Sequence, residues 1–158
     1  RFKKEINKNR LKLIRKDLNY RLPFRKNTFD QLICIRVIKY VENWKNLLKE
    51  AYRVLKPNGT LIIEFPNKYS YEFLAMFINS LFFDFHYSTF SFHTFENVLL
   101  NQKFVRIKEL SGTKFPHFFY SVINKRQLLN LAFYLEWLLA KLFGSFFSRN
   151  FIIICKKT

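Results

Sequence analysis

The sequence predicts an α/β fold built on a largely parallel sheet, and three consecutive segments carry that prediction. Residues 29–41 contain a nearly continuous apolar stretch from Leu32 to Ile38, which is typical of a strand covered on both faces. Residues 43–55 place apolar side chains at three- and four-residue steps, which indicates an amphipathic helix, and the apolar run 61–63 follows it. Strand, helix and strand at this spacing form a βαβ unit, so we expect parallel neighbours joined by a right-handed crossover.

The ends of the predicted helix carry the expected residue types. Asn43 can cap its amino end, while Pro57 cannot continue it. Asn58 and Gly59 tolerate positive φ, so the chain can turn there and enter the next strand.

The second half of the sequence alternates in the same way. Ser91 is the expected N-cap of a helix over residues 92–100, and a strand is predicted over 104–110. Residues 127–147 are long and apolar, and 151–155 form a last short strand. Cys34 and Cys155 each lie in an apolar run, which favours buried thiols over a disulfide or a metal site.

The charge allows two interpretations. The 158 residues contain 28 Lys and Arg against 11 Asp and Glu, a formal charge of +17 that attracts nucleic acid or an anionic membrane surface. AT-rich coding also yields many Lys, Asn, Phe, Ile and Tyr residues, and we favour that explanation because no nucleic-acid motif accompanies the charge. Glu136 and Lys141 interrupt the 127–147 segment, which favours a cap helix or a membrane-surface helix over a span. Nothing at the N-terminus resembles a signal peptide, so we expect a cytoplasmic protein.

Several short strings share their order and spacing with a known family. The strings are Leu22-Pro23-Phe24, Phe29-Asp30 and the segment 52–62, YRVLKPNGTLI, and further matches follow at His86, Phe90-Ser91, Leu99-Leu100 and Phe104. Together they closely resemble the class I S-adenosylmethionine-dependent methyltransferases of the type 11-like group. The resemblance covers roughly residues 11–110, and 151–157 are similar to the family's final strand. Asn58 and Lys103 depart from the pattern, because the family commonly has glycine at both positions.

The resemblance implies a Rossmann-like class I methyltransferase sheet with strand order 3-2-1-4-5-7-6, in which the last inserted strand is antiparallel. Residues 1–158 would form one partial domain with strands three to seven and a helical, aromatic cap inserted at about 69–92 and 114–149. The chain opens on Arg1 and its only methionine is Met76, so we expect an N-terminal truncation that removes the first two strands. The third strand, residues 11–15, is then expected to pair directly with the fourth, residues 31–38.

The implied cofactor is S-adenosylmethionine, and the implied reaction is methyl transfer to a small-molecule acceptor. The family binds this cofactor through a glycine-rich loop and an acidic residue for the ribose. The glycines here are Gly59, Gly112 and Gly144, which form no such loop. We therefore expect the chain alone to bind the cofactor weakly and to be impaired in transfer. A non-catalytic basic module for nucleic acid or an anionic membrane is the alternative.

The resemblance also implies cofactor-binding residues. Asp17, with Leu18 beside it, matches the acidic position after the third strand, near the adenine amino group. Cys34, Ile35 and Arg36 match the end of the fourth strand, where open α/β sheets bind ligands. The Cys34 side chain is equally suited to core packing, whereas Arg36 requires solvent or an anionic partner.

His86 is the candidate catalytic residue. It matches a family position in the cap over the substrate pocket, where it would act as general base or substrate contact. A histidine among aromatic residues is more often a packed side chain, so both readings stay open.

Overall fold

A four-stranded mixed sheet organises the chain in the computed structural model, which describes residues 12–70, 88–112 and 126–158. The strands are β1 (Phe29–Cys34), β2 (Leu55–Pro66), β3 (Phe104–Ser111) and β4 (Asn150–Lys157). The helices are α1 (Trp44–Val54), α2 (Phe92–Asn101) and α3 (Arg126–Phe143), with a 3-10 turn at Ile38–Tyr40.

The strand order is β1-β2-β4-β3. β1 and β2 are parallel, with Leu32 opposite Leu61 and Cys34 opposite Ile63. β4 is antiparallel to both β2 and β3. This order confirms the arrangement implied for the fourth, fifth, seventh and sixth strands of the family, and the parallel βαβ pairing is confirmed with it. The hand of the crossover stays a prediction.

The predicted boundaries of α1 hold, although its cap differs from the expectation. Asn43 occupies the N-cap position, but its side chain makes no capping hydrogen bond. At the other end Asn58 has φ of 63°, as its residue type predicted. Gly59 is required for space, because a Cβ there would lie 2.9 Å from the Lys56 carbonyl oxygen and 3.1 Å from that of Asp30.

Local sequence also determines both ends of α2. The Ser91 side chain accepts a hydrogen bond from the backbone N–H of Thr94 at 3.2 Å, which confirms the predicted cap. After the helix Lys103 adopts φ of 63°, a left-handed conformation that favours glycine. This positive φ explains why the family commonly has glycine at the position of Lys103.

The core lies between the sheet and helices α1 and α2. Alternate residues of β2, Leu61, Ile63 and Phe65, are fully or almost fully buried, as strand periodicity requires. Phe65 stacks on Phe95 of α2 with ring centroids 4.0 Å apart. Trp44 at the start of α1 packs edge-on against Phe90 at 4.9 Å. Aromatic packing thus joins both helices to β2.

Two predictions about the N-terminal part were wrong. Residues 12–15 form no strand and pair with no neighbour among the described residues, so the third strand and its closure onto the fourth are absent there. Leu13 is 73% exposed, because no described element covers these side chains and a strand would gain no burial energy. The fourth strand also ends at Cys34 and not at Ile38, since Arg36 turns the chain with φ of 58°.

Some predictions lie outside the described residues. These are His86, most of the 69–92 insertion, and residues 114–125 of the second insertion. The helix predicted within 127–147 is confirmed as α3. In the described ranges, no helix has the length and apolar content needed to cross a membrane.

Candidate active site at the carboxyl ends of the parallel strands

The candidate site lies where β1 and β2 end. Both strands run in the same direction, so Cys34 and Pro66 finish them at one edge of the sheet. Ligands of open α/β sheets bind at this carboxyl edge, because the loops that follow the strands diverge there. Residues 35–37 follow β1 and Asn67–Ser70 follow β2.

A polar turn holds Asp17 near the start of α1. One oxygen of Asp17, Oδ1, accepts hydrogen bonds from the Asn19 backbone N–H at 2.9 Å and from Asn19 Nδ2 at 3.0 Å. Asn19 Oδ1 in turn accepts from the Asn43 backbone N–H at 2.9 Å, and Asn46 Nδ2 donates to the Asn19 carbonyl at 3.3 Å. The turn is therefore fixed to the helix that begins just beyond β1.

The side chains of Asp17 and Leu18 have different surroundings. Asp17 is exposed, and its second oxygen, Oδ2, makes no hydrogen bond to the described residues. Leu18 is half-buried and packs against the apolar core. A free carboxylate oxygen thus lies next to an apolar side chain, an arrangement suited to a flat ring that carries an amino group.

Glu64 connects three elements at this edge, and the sequence analysis missed it. Its Oε2 accepts a hydrogen bond from the Arg36 backbone N–H at 3.1 Å. Its Oε1 accepts one from Asn150 Nδ2 at the start of β4. Glu64 therefore holds the turn after β1 against β2 and β4. A carboxylate inside the apolar run 61–65 was the sequence signal that pointed to such a role.

The residues predicted at the end of β1 differ in accessibility. Cys34 is buried, and burial is the main reason that the pKa of its thiol rises to about 11, with the nearby Glu64 charge contributing in the same direction. The thiol is therefore protonated at neutral pH, and its burial fits core packing. Ile35 and Arg36 are exposed.

Asn67 connects the end of β2 to the segment after α3. It is 1% exposed, and its Nδ2 donates to the carbonyl oxygens of Phe146 at 2.6 Å and Ser148 at 2.8 Å. Its Oδ1 accepts from the Tyr69 backbone N–H at 3.1 Å. These three hydrogen bonds satisfy the buried Asn67 amide. They fix the loop after β2 and one wall of the cavity beside it.

Two cavities adjoin this loop and share Tyr69 and Ser91. The first, of about 420 Å³, has a mainly aromatic wall with a few polar groups: Tyr69, Phe92, Phe143, Phe146 and Phe151 with Asn67, Ser91, Ser145, His93 and Glu109. The second, of about 440 Å³, is rich in hydroxyl groups: Ser88, Thr89, Ser91 and Thr94 with Lys68, Tyr69, Trp44 and Phe90. No group of metal-ligating side chains occurs in the described part of the chain.

The arrangement brings some of the predicted site residues to one edge. Asp17 and Leu18 lie by the start of α1, and Ile35 and Arg36 lie at the end of β1, a few residues before that helix. Their contacts with a ligand stay predictions, as does the role of His86.

Comparison with known proteins gives one family match and several relatives. The family described as "Methyltransferase domain" matches residues 1–63. An uncharacterized protein of Methanocaldococcus jannaschii is 47% identical over 47 residues, which are 30% of this chain and 20% of that protein. The sterol 4-C-methyltransferase strm-1 of Caenorhabditis elegans is 38% identical over 55 residues, 35% of this chain and 16% of that protein. These matches thus span a fifth or less of each relative.

Solved structures extend the similarity to nearly the whole chain. A Thermotoga maritima protein, described as an S-adenosylmethionine-dependent methyltransferase and possible histamine N-methyltransferase, has a TM-score of 0.68 at 21% identity. The superposition covers 98% of this chain and 68% of that one. At this identity the likeness concerns the fold. The family model thus matches the first 63 residues, and the solved structure shares the Rossmann-like methyltransferase fold with this chain.

Proposed function

We propose that this chain is part of an enzyme that transfers the methyl group of S-adenosylmethionine to a small-molecule acceptor. The main support for the proposal is that the segment matched by the family model includes most of the candidate site. Residues 1–63 include the Asp17 turn and the whole of β1, and the match ends within β2.

Asp17 and Leu18 would bind the adenine end of the cofactor. The free Oδ2 of Asp17 can accept a hydrogen bond from the adenine amino group, while Leu18 provides an apolar surface for the ring. Arg36 and Ile35 would contribute backbone and side-chain contacts at the end of β1. Glu64 would act as a positioning residue, because its carboxylate holds the Arg36 turn.

When bound, S-adenosylmethionine would supply an electrophilic methyl group to the acceptor atom. Asp17 and Leu18 would hold its adenine end, and the Arg36 turn, fixed by Glu64, would position it at the end of β1. The protein contributes mainly by aligning the two reactants, so positioning groups matter more than a covalent catalyst.

The aromatic cavity favours an acceptor with a large apolar part. Five of its lining residues are aromatic, and His93 and Glu109 supply polar contacts at the wall. The name of the C. elegans relative, a sterol methyltransferase, is compatible with such an acceptor.

Cofactor affinity of the 158-residue chain is expected to be low. The family's glycine-rich loop approaches the cofactor with its backbone, and the three glycines of this chain are 53 and 32 residues apart, at positions 59, 112 and 144. We therefore expect a dissociation constant well above the low micromolar range, which corresponds to about 8 kcal/mol of binding free energy.

The test is an amide NMR titration of the chain with S-adenosylhomocysteine, the demethylated product, because NMR maps even millimolar binding. Amides of residues 17–19 and 35–37 should shift in a saturable way, whereas those of 56–59, at the amino end of β2, should not. Asp17→Asn keeps an oxygen to accept from Asn19 but removes the negative charge, so it should weaken binding without unfolding the turn.

Asp30→Asn is the matched control, since Asp30 is an exposed carboxylate at the opposite end of β1. It should leave the titration unchanged. Equal binding by both variants, or shifts confined to residues elsewhere, would contradict the proposed cofactor site.

A further inference from the structure

Helix α3 carries a row of exposed leucines. Leu128, Leu131, Leu135 and Leu142 are 50%, 52%, 42% and 66% exposed. At about 100° per residue these positions fall within an arc of about 60° on the helix surface. Among the described side chains of α3, only Ala132 is buried. The row is therefore a continuous apolar stripe in contact with water.

The surroundings of this leucine row are basic. Residues 110–158 contain seven Lys or Arg and a single acidic residue, Glu136. Arg126 opens the helix and Lys141 lies in its last turn, and both are exposed. A surface that fits both the leucines and these cations must itself combine apolar and anionic character.

Two exposed aromatic side chains lie outside the leucine row: at about 100° per residue Tyr134 falls about 90° and Trp137 about 150° from the centre of the row. Tyr134 and Trp137 are 57% and 55% exposed and stack at 5.9 Å. The Lys141 ammonium lies 5.4 Å from the Trp137 ring centre. Lys141 falls about 110° from the centre of the leucine row, so Tyr134 and Lys141 lie near the water boundary of a helix that is flat in a lipid interface.

We propose that α3 docks in the plane of an anionic membrane surface, with the leucine row among the acyl chains and Lys141 at the phosphate level. The formal charge of +17 favours that surface and opposes a second copy of the chain, which carries the same charge. This proposal does not depend on methyl transfer.

The test is co-sedimentation of the full chain with vesicles of phosphatidylcholine alone and with added phosphatidylglycerol. Binding is expected to the mixed vesicles and to weaken at high salt, because the charges are screened. Replacing the four leucines together (Leu128→Gln, Leu131→Gln, Leu135→Gln, Leu142→Gln) should lower the partition coefficient about 100-fold or more, since each lost leucine removes apolar area from the lipid.

The matched control replaces exposed apolar residues on the sheet: Val105→Thr, Ile107→Thr and Leu110→Thr, which should bind like the wild type. A second variant, Arg126→Gln with Lys141→Gln, keeps the leucines and should bind anionic vesicles more weakly than the wild type. Circular dichroism reports whether each variant is folded. Unchanged binding by the leucine variant, or a dimer in sedimentation velocity that the leucine substitutions abolish, would overturn the proposal.

Discussion

The core under α1 and α2 and the surface of α3 are built from the same residue types but have opposite environments. Phe65, Phe95 and Leu48 are completely buried, whereas Trp137 and Leu142 are 55% and 66% exposed. The helices of the core pack against the alternating apolar residues of β2 and β4, whereas among the described residues no α3 side chain belongs to this core. A high apolar content therefore indicates that a helix must pack against another surface. Whether that surface is the sheet depends on where the fold places the helix.

The largest expected effect that tests this comparison is the truncation of Phe65. Phe65→Ala removes a ring that stacks on Phe95 at 4.0 Å and contacts Phe151 at 5.7 Å. The loss of buried area and the cavity left behind should lower the free energy of unfolding by about 3–5 kcal/mol, measured by urea denaturation.

Leu142→Ala on α3 is the matched substitution, and it should change the free energy of unfolding by about 0.5 kcal/mol or less. A cost for Leu142→Ala that equals the cost for Phe65→Ala would mean that α3 is part of the folding core, which would remove the contrast.

The second prediction applies the same contrast to charges. Glu50 is 9% exposed, and its carboxylate binds Arg53 at 2.6 Å and the Leu22 backbone N–H at 2.8 Å. Arg53 also donates to the carbonyl oxygens of Leu22 and Phe24, so the pair clasps the Leu-Pro-Phe loop to α1. Glu50→Gln should therefore lower the free energy of unfolding by about 2–3 kcal/mol, slightly below the cost of breaking a fully buried pair.

The pH dependence of this clasp has a defined sign. The Arg53 hydrogen bond holds the pKa of Glu50 below its usual range, so the stabilisation is complete above the ordinary Glu pKa of about 4.3 and is lost as the pH falls through the folded-state value. Glu50→Gln should reduce the acid sensitivity of unfolding. Asp30→Asn breaks an exposed pair with Lys56 and should leave the unfolding curve unchanged. A similar loss in both variants would contradict the comparison.

Local sequence patterns predicted the elements whose hydrogen bonds and turns depend only on residues close together in the chain. The periodicity of residues 43–55 predicted α1, Ser91 predicted the start of α2, and Asn58 predicted the positive φ that lies within the first residues of β2. The strand order came from the family resemblance and is confirmed, because it depends on many spaced residues at once.

Long-range contacts account for what the sequence did not predict. The alternation of residues 12–15 indicated a strand, but a strand forms only where a neighbour pairs with it and a face covers it. Glu64 and Asn67 acquire their roles from partners more than 70 residues away, such as Asn150 and Ser148. Neither partner is visible from the local pattern around either residue.

The last prediction concerns a small strain at the end of α2, where the sequence departs from the family pattern that it resembles. Lys103 adopts φ of 63°, and its described hydrogen bonds are made by the backbone, to Leu100 and Thr158. Lys103→Gly removes the Cβ that opposes this conformation, a gain of about 1–2 kcal/mol. Glycine also increases the conformational entropy of the unfolded chain, which offsets part of that gain. The free energy of unfolding, measured by urea denaturation, should therefore rise by about 0.5–1 kcal/mol. Asn58→Gly is the control, because Asn already tolerates its φ of 63° and should gain less. Destabilisation by Lys103→Gly would mean that the lysine side chain contributes contacts that outweigh its backbone strain.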